Sequence, residues 1–182
     1  EYDFPADFRK IDRDSFIIGP RELVTNGEFT SNISSWTTGD GSPSYTSSGN
    51  GRLNLNDAAA YQSVETTVNK EYKLQIRVLS PNSSATALIV RVGTSAGGTQ
   101  NLDTTLAVTD FGQGAILNTT FTATAKSSFI YVESSGIQLD VDYIRCSRSD
   151  ITRQKIQYIS YDDYLQNYKP IDDRNDSDVY GT

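Results

Sequence analysis

Read with a period of two, the run Glu71-Tyr72-Lys73-Leu74-Gln75-Ile76-Arg77-Val78 puts Tyr72, Leu74, Ile76 and Val78 on one side and the charged and amide side chains on the other. At 100° per residue the same eight positions would scatter around a helix, so the run is a half-buried antiparallel strand. Similar alternation recurs at Leu53/Leu55, Leu88/Val90/Val92, Leu117/Phe121, Phe129/Tyr131 and Ile137/Leu139/Val141/Tyr143, with Gly, Asn, Ser and Thr clusters between the runs. Short alternating strands separated by turn residues predict a mainly β fold, a two-sheet antiparallel β-sandwich across the middle of the chain.

Charge and residue inventory narrow the function. The net charge of -7 opposes attraction to a nucleic-acid backbone or an anionic membrane surface, so neither is expected as a partner. No apolar run approaches the ~20 residues of a membrane-spanning helix. The 182 residues contain no His, which removes Ser-His-Asp and Cys-His catalysis and the commonest zinc ligand, and the single Cys146 has no partner for an internal disulfide. No catalytic residue is expected. The absence of Met, together with a first residue that reads as ordinary mid-chain sequence, predicts a piece of a longer protein.

Composition divides the chain into three. Residues 21–148 are rich in Ser, Thr, Gly and Asn and carry the alternating runs. Residues 1–20 and 149–182 together hold 12 of the 23 acidic groups and six of the 11 tyrosines. A composition change on both sides of a self-contained β-domain predicts an insertion, 21–148, in a small strand-plus-helix host formed by the two ends. Ile11–Ile18 and Thr152–Ile159 read as host strands able to pair antiparallel as a hairpin.

The flanks carry their own pattern. Ser160 and Asp163 make a capping-box-like start for a short helix over 161–169, on which Tyr161, Tyr164, Leu165 and Tyr168 stand at i, i+3, i+4 and i+7, and Pro170 ends it. At the other end Phe4 and Phe8 anchor a turn around Pro5. A host of 54 residues has little core of its own, so Phe4, Pro5, Phe8, Tyr161, Tyr164, Leu165 and Tyr168 are the expected subunit or partner interface. The Asp172, Asp173, Asp176 and Asp178 cluster reads as an extended, solvated segment, since it lacks the Gly and terminal Glu of an EF-hand.

Two resemblances follow from these residues. Leu23-Val24-Thr25-Asn26-Gly27-Glu28-Phe29, then Trp36, Tyr61-Gln62-Ser63, the Tyr72 strand and Leu139-Asp140-Val141-Asp142-Tyr143-Ile144 are similar, in that order, to carbohydrate-binding modules of the jelly-roll, galactose-binding-like type. The flanks, Tyr2-Asp3-Phe4-Pro5-Ala6-Asp7-Phe8-Arg9-Lys10-Ile11 with Ile156-Gln157-Tyr158-Ile159-Ser160-Tyr161-Asp162-Asp163-Tyr164-Leu165 and Val179-Tyr180-Gly181-Thr182, resemble head-to-tail adaptor proteins of tailed bacteriophages. The second resemblance implies a non-enzymatic virion protein of the neck, assembled with copies of itself in a ring between portal and tail proteins. The inserted domain would then face outward for decoration or weak adhesion to a host-surface glycan. A carbohydrate-binding module of a secreted polysaccharide-degrading enzyme is the alternative.

Trp36, the only tryptophan, is expected in the core, as large aromatics usually are. Tyr45 in a Gly/Ser-rich loop, and Tyr61 and Phe111 near strand ends, are the candidate ring-stacking residues. Asp140 and Asp142 share one side of the last strand and are expected as outward, solvated acids, with no cleft to make them a glycosidase pair. The jelly-roll resemblance implies a structural calcium near the first and last strands, with Glu28 and Asp142 as its local ligands.

Overall fold

The computed structural model describes residues 17–18, 20–79, 86–108, 114–134, 138–151 and 154–155. They form strands β1 (Ile17–Ile18), β2 (Thr37–Asp40), β3 (Ser44–Thr46), β4 (Arg52–Leu55), β5 (Ala59–Glu65), β6 (Glu71–Leu79), β7 (Thr86–Gly93), β8 (Leu102–Val108), β9 (Gly114–Thr122), β10 (Ser127–Ser134), β11 (Leu139–Arg148) and β12 (Gln154–Lys155). There is no helix among the described residues, hence none long and apolar enough to cross a membrane.

The chain divides into two compact units, one of Pro20–Thr152 and one of Glu1–Gly19 with Arg153–Thr182. In the second unit β1 and β12 pair antiparallel, Ile17 opposite Lys155 and Ile18 opposite Gln154. The helix expected over 161–169 and the interface residues Phe4, Pro5, Phe8, Tyr161, Tyr164, Leu165 and Tyr168 lie outside the described residues.

The first unit is an antiparallel jelly-roll sandwich. Sheet I has the order β2-β5-β10-β7-β8 and sheet II the order β3-β4-β11-β6-β9. Successive strands from β4 to β7 and from β8 to β11 cross from one sheet to the other, so each hydrophobic strand side meets side chains brought by its sequence neighbour. Tyr72, Leu74, Ile76 and Val78 are all buried, as the alternation over 71–78 requires, and they pack with Leu53, Leu55, Leu88, Val90, Val92, Ile130, Val132, Leu139, Val141 and Ile144. Tyr72 stacks on Phe121 with ring centroids 5.4 Å apart. Trp36 belongs to this core, tilted against Phe29 at 5.7 Å.

The segment before β2 is tied down at both ends. Leu23 N–H donates to the Cys146 carbonyl and Ile144 N–H to the Gly27 carbonyl, so 23–27 runs beside β11 beyond the end of β4. A side chain at 27 would collide with the Ile144 carbonyl, which is why Gly stands there. Gln62, buried on β5, clamps the loop: its Oε1 accepts from Thr25 N at 2.7 Å, and its Nε2 donates to the carbonyls of Thr25 and Ser35 at 2.8 and 2.9 Å.

Two strand readings change in the structure. Phe129 and Tyr131 form an alternating apolar pair, but Ile130 and Val132 occupy the core and the two aromatics face solvent. In β11 the register shifts between Val141 and Tyr143. This bulge takes Tyr143 off the inward side and lets Ile144 and Cys146 continue it.

Candidate functional site

On the outer face of sheet I one residue from each strand falls into a single register row. Thr37 on β2 is opposite Tyr61 on β5, Tyr61 opposite Tyr131 on β10, Tyr131 opposite Arg91 on β7, and Arg91 opposite Asp103 on β8. Four inter-strand steps make the row roughly 19 Å long. Phe129 lies diagonally below Tyr61, with ring centroids 6.0 Å apart and planes tilted by 51°. Tyr61, Phe129 and Tyr131 are half-buried, so each keeps part of its ring surface open.

Polar groups surround these rings. Arg91 Nη1 donates to Glu133 Oε2 at 3.0 Å, its Nε lies 3.6 Å from Asp103 Oδ1, and its guanidinium carbon is 5.8 Å from the Tyr131 ring centroid. Ion pairs this exposed contribute at most about 1 kcal/mol to stability, so their chief effect is to hold the guanidinium in place. The Tyr131 phenol is pushed above its ordinary value of 10.0, first by burial and then by the carboxylates of Glu133 and Asp40, against the opposing pull of Arg91. It therefore stays a protonated donor and acceptor throughout the neutral range.

The loop between β7 and β8 rims one side of the row. It is closed on itself by Gly98 N to Ser95 O at 3.0 Å and Thr94 N to Gln100 Oε1 at 3.1 Å. A β-carbon on Gly93 would strike Gln100 and Gly98, and one on Gly97 would come to 4.0 Å from Tyr131 Cε2. The loop thus folds over the outward side of Gly93 and reaches the Tyr131 ring.

The outer face of sheet II offers a contrasting surface, an open hollow of about 710 Å³ lined by Glu22, Lys73, Gln75, Asn118, Arg145 and Ser147 among others. Gln75 Nε2 donates to Asn118 Oδ1 at 2.7 Å, and Arg145 Nε to Glu28 Oε1 at 2.7 Å. The bond to Glu28 is the main cause of the upward shift of the Arg145 pKa. Arg145 also lies over the Tyr143 ring, its guanidinium carbon 4.4 Å from the ring centroid. Among the described residues no aromatic ring lines the hollow, so it offers no stacking floor. The hollow is the weaker binding surface.

The stacking candidates separate. Tyr61 lies in the aromatic row, Tyr45 is on edge strand β3 of the other sheet with its hydroxyl 3.4 Å from the Thr30 carbonyl, and Phe111 lies outside the described residues. Glu28 and Asp142 serve different arginines, Glu28 being held by Arg145 and Asp142 by Arg77 at 3.0 Å and Arg52 at 3.5 Å. A calcium ion at either carboxylate would have to compete with those guanidinium groups, and no group of three acidic, His or Cys residues among the described residues is arranged to hold a metal. Asp140 is not the solvated acid its alternation suggests. It is buried, accepting from Asn54 Nδ2 at 2.6 Å and lying 3.6 Å from Arg52 Nη1, two side chains of the neighbouring β4.

The rings that sequence reasoning missed, Phe129 and Tyr131, carried a usable signal. Glu133 shares their parity on β10, and a carboxylate marks the solvent side of a strand that is apolar on both sides.

The chain matches no protein-family model and no curated protein sequence. Among solved structures it is similar to the CBM22-1 xylan-binding domain of Paenibacillus barcinonensis Xyn10C, at 18% identity and a TM-score of 0.57 over 71% of this chain and 96% of that one. It is also similar to the Clostridium thermocellum Xyn10B CBM22-1 and GH10 modules complexed with xylohexaose, at 15% identity and 0.54 over 76% of this chain and 30% of that one. A third is TmCBM61 in complex with β-1,4-galactotriose, at 16% identity and 0.50 over 71% of this chain and 99% of that one. At these identities the likeness is one of fold: the jelly roll of carbohydrate-binding modules.

Proposed function

We propose that the sandwich is a non-catalytic carbohydrate-binding module that takes a run of linked sugars across sheet I, along the Thr37–Tyr61–Tyr131–Arg91–Asp103 row. The observation that carries this reading is the presence of three aromatic rings on the solvent side of strands whose other side supplies the core. Rings so placed lie outside the core yet keep part of their faces open, and neighbouring apolar surface on a solvent side is a mark of a binding site. The C–H faces of pyranose rings stack on Tyr61, Phe129 and Tyr131, while their hydroxyls meet the Tyr131 phenol, the Arg91 guanidinium and the carboxylates of Glu133 and Asp103. Fixing Arg91 between two acids lowers the cost of ordering it when ligand arrives.

Calorimetric titration with xylohexaose, β-1,4-galactotriose and a wider glycan panel tests the reading. Binding by the native protein, weakened most in Tyr131→Ala and less in Tyr61→Ala, is the expected result. A native protein that binds no member of the panel would overturn it.

The finer assignment is that the flanks belong to a phage neck adaptor, with the module displayed from a ring against portal and tail proteins. Its support is the flank sequence and the antiparallel pairing of β1 with β12, which joins the two ends of the chain. A ring would raise weak single-site binding by on the order of a hundredfold where geometry lets several sites engage. Two-dimensional class averages of assembled particles decide the matter, since the assignment requires a ring at the neck. A catalytic domain encoded next to this chain would instead assign the same binding face to a polysaccharide-degrading enzyme.

A further inference from the structure

Gly39 sits in β2 at a register shift: Thr38 is opposite Ala60 and Asp40 opposite Ala59, so Gly39 is the extra residue of a bulge. It is exposed, and its backbone is not in the left-handed region that would call for glycine. Neither the core nor the local conformation requires glycine there. An alanine would ordinarily be as good or better, because glycine loses more conformational freedom on folding.

What does require it is a ring from two strands away. A β-carbon at 39 would lie 2.7 Å from Tyr131 Cε2, 3.4 Å from its Cζ and 3.3 Å from the Ala59 β-carbon. Tyr131 reaches diagonally over the small Ala59 and settles its edge on the bare backbone of the bulge. Real β-carbons do not tolerate a 2.7 Å approach, and an aromatic ring cannot bend out of the way as the end of a flexible chain can. Any side chain at 39 must therefore rotate or lift the ring.

We infer that Gly39 is a positioning residue of the binding face, its missing side chain being the seat on which the edge of the Tyr131 ring rests. This rests on the carbohydrate reading of sheet I and adds to it a residue that touches no sugar. The Gly97 side of the ring leaves ordinary van der Waals room, so the constraint comes from β2.

Gly39→Ala in the full chain is the test, with two independent readouts. In the ligand-free protein, NMR should show a cross-peak between the Gly39 α-protons and the Tyr131 ring edge, and Gly39→Ala should shift the Tyr131 ring resonances. The melting temperature should stay within about 2 °C of the native value. Affinity for xylohexaose or β-1,4-galactotriose should fall about tenfold or more, as expected when a binding group is misplaced by about an ångström. In a Tyr131→Ala background the same substitution should change residual binding by less than about twofold, because residues acting through one contact are not additive. Unmoved Tyr131 resonances, or a moved ring with unchanged affinity, would overturn the inference. If the native protein binds no sugar of the panel, the carbohydrate reading fails by itself, while the ring resonances still decide whether Gly39 seats Tyr131.

Discussion

Arg91 and Tyr131 stand directly opposite each other across the β10–β7 pair, with the guanidinium carbon 5.8 Å from the ring centroid and its Nη1 donating to Glu133, two residues along from Tyr131. One cation is thus shared by an aromatic face and two acids, and the titration of the phenol reports on Arg91 and on one of the acids, Glu133.

Removing that cation gives the first expectation. Arg91 opposes the upward shift of the Tyr131 phenol, so Arg91→Ala should raise its pKa further, as followed by ultraviolet difference titration. In the native protein the folded-state pKa lies above the unfolded value near 10.0, so the folded state holds the proton more tightly. The corresponding contribution to stability is whole below about pH 10 and is lost as pH rises through the folded pKa. Tyr131→Phe should accordingly flatten the alkaline loss of stability. An unchanged alkaline profile would show that the phenol is not buried against Glu133 and Asp40.

Cys146 should be chemically silent in the folded protein. Burial, assisted by the Glu22 carboxylate, pushes its thiol up to about 12. Mass spectrometry after iodoacetamide treatment at pH 8 should find no modification without urea and one per chain with it, because the thiolate is the reactive form. Rapid labelling of the native protein would contradict the inward position of Cys146 on β11.

Ile76 and Ile116 test which side of sheet II is the core. Ile76 is wholly buried, and Ile76→Ala should cost about 2–5 kcal/mol in urea unfolding. Ile116 on β9 is 49% exposed, and Ile116→Ser should stay within about 0.5 kcal/mol. Equal costs would contradict the placement.

Gln62→Ala removes three hydrogen bonds that hold the loop before β2, leaving backbone groups of Thr25 and Ser35 without their partner. The expected cost is about 1–3 kcal/mol in denaturant unfolding, with amide exchange accelerated in 24–35 ahead of the strands. Uniform acceleration across the sandwich would instead mean that Gln62 supports the whole core.

The unit Pro20–Thr152 contains both sheets and the continuous core, so that segment expressed alone should unfold in one cooperative thermal transition. A broad, non-cooperative trace would show that it depends on the chain ends.

Much of this architecture is legible in the sequence because alternation is a strong signal where one strand side is purely polar. Glu71–Val78 leaves no choice of orientation, and the core position of Trp36 follows from its size. Ser127–Ser134 is harder, since Phe129 and Tyr131 on one side compete with Ile130 and Val132 on the other, and hydrophobicity alone favours neither. Tyr143 escaped for a different reason: a bulge changes parity within a strand, and nothing in Asp140-Val141-Asp142-Tyr143 marks where the extra residue falls. The row itself is non-local. Tyr61, Tyr131 and Arg91 come together only through pairings between strands far apart in the chain, and a single sequence carries little information about register.

That dependence on register ties the display of the aromatic floor to correct assembly of the sheet. Because side chains alternate with a period of two, a slip of β10 by one residue would turn Tyr131 inward and expose Ile130. The chain could not make that error and still present a working surface. Under the proposed carbohydrate binding, ligand capture would retain molecules whose strands are in register and pass over those whose strands are not.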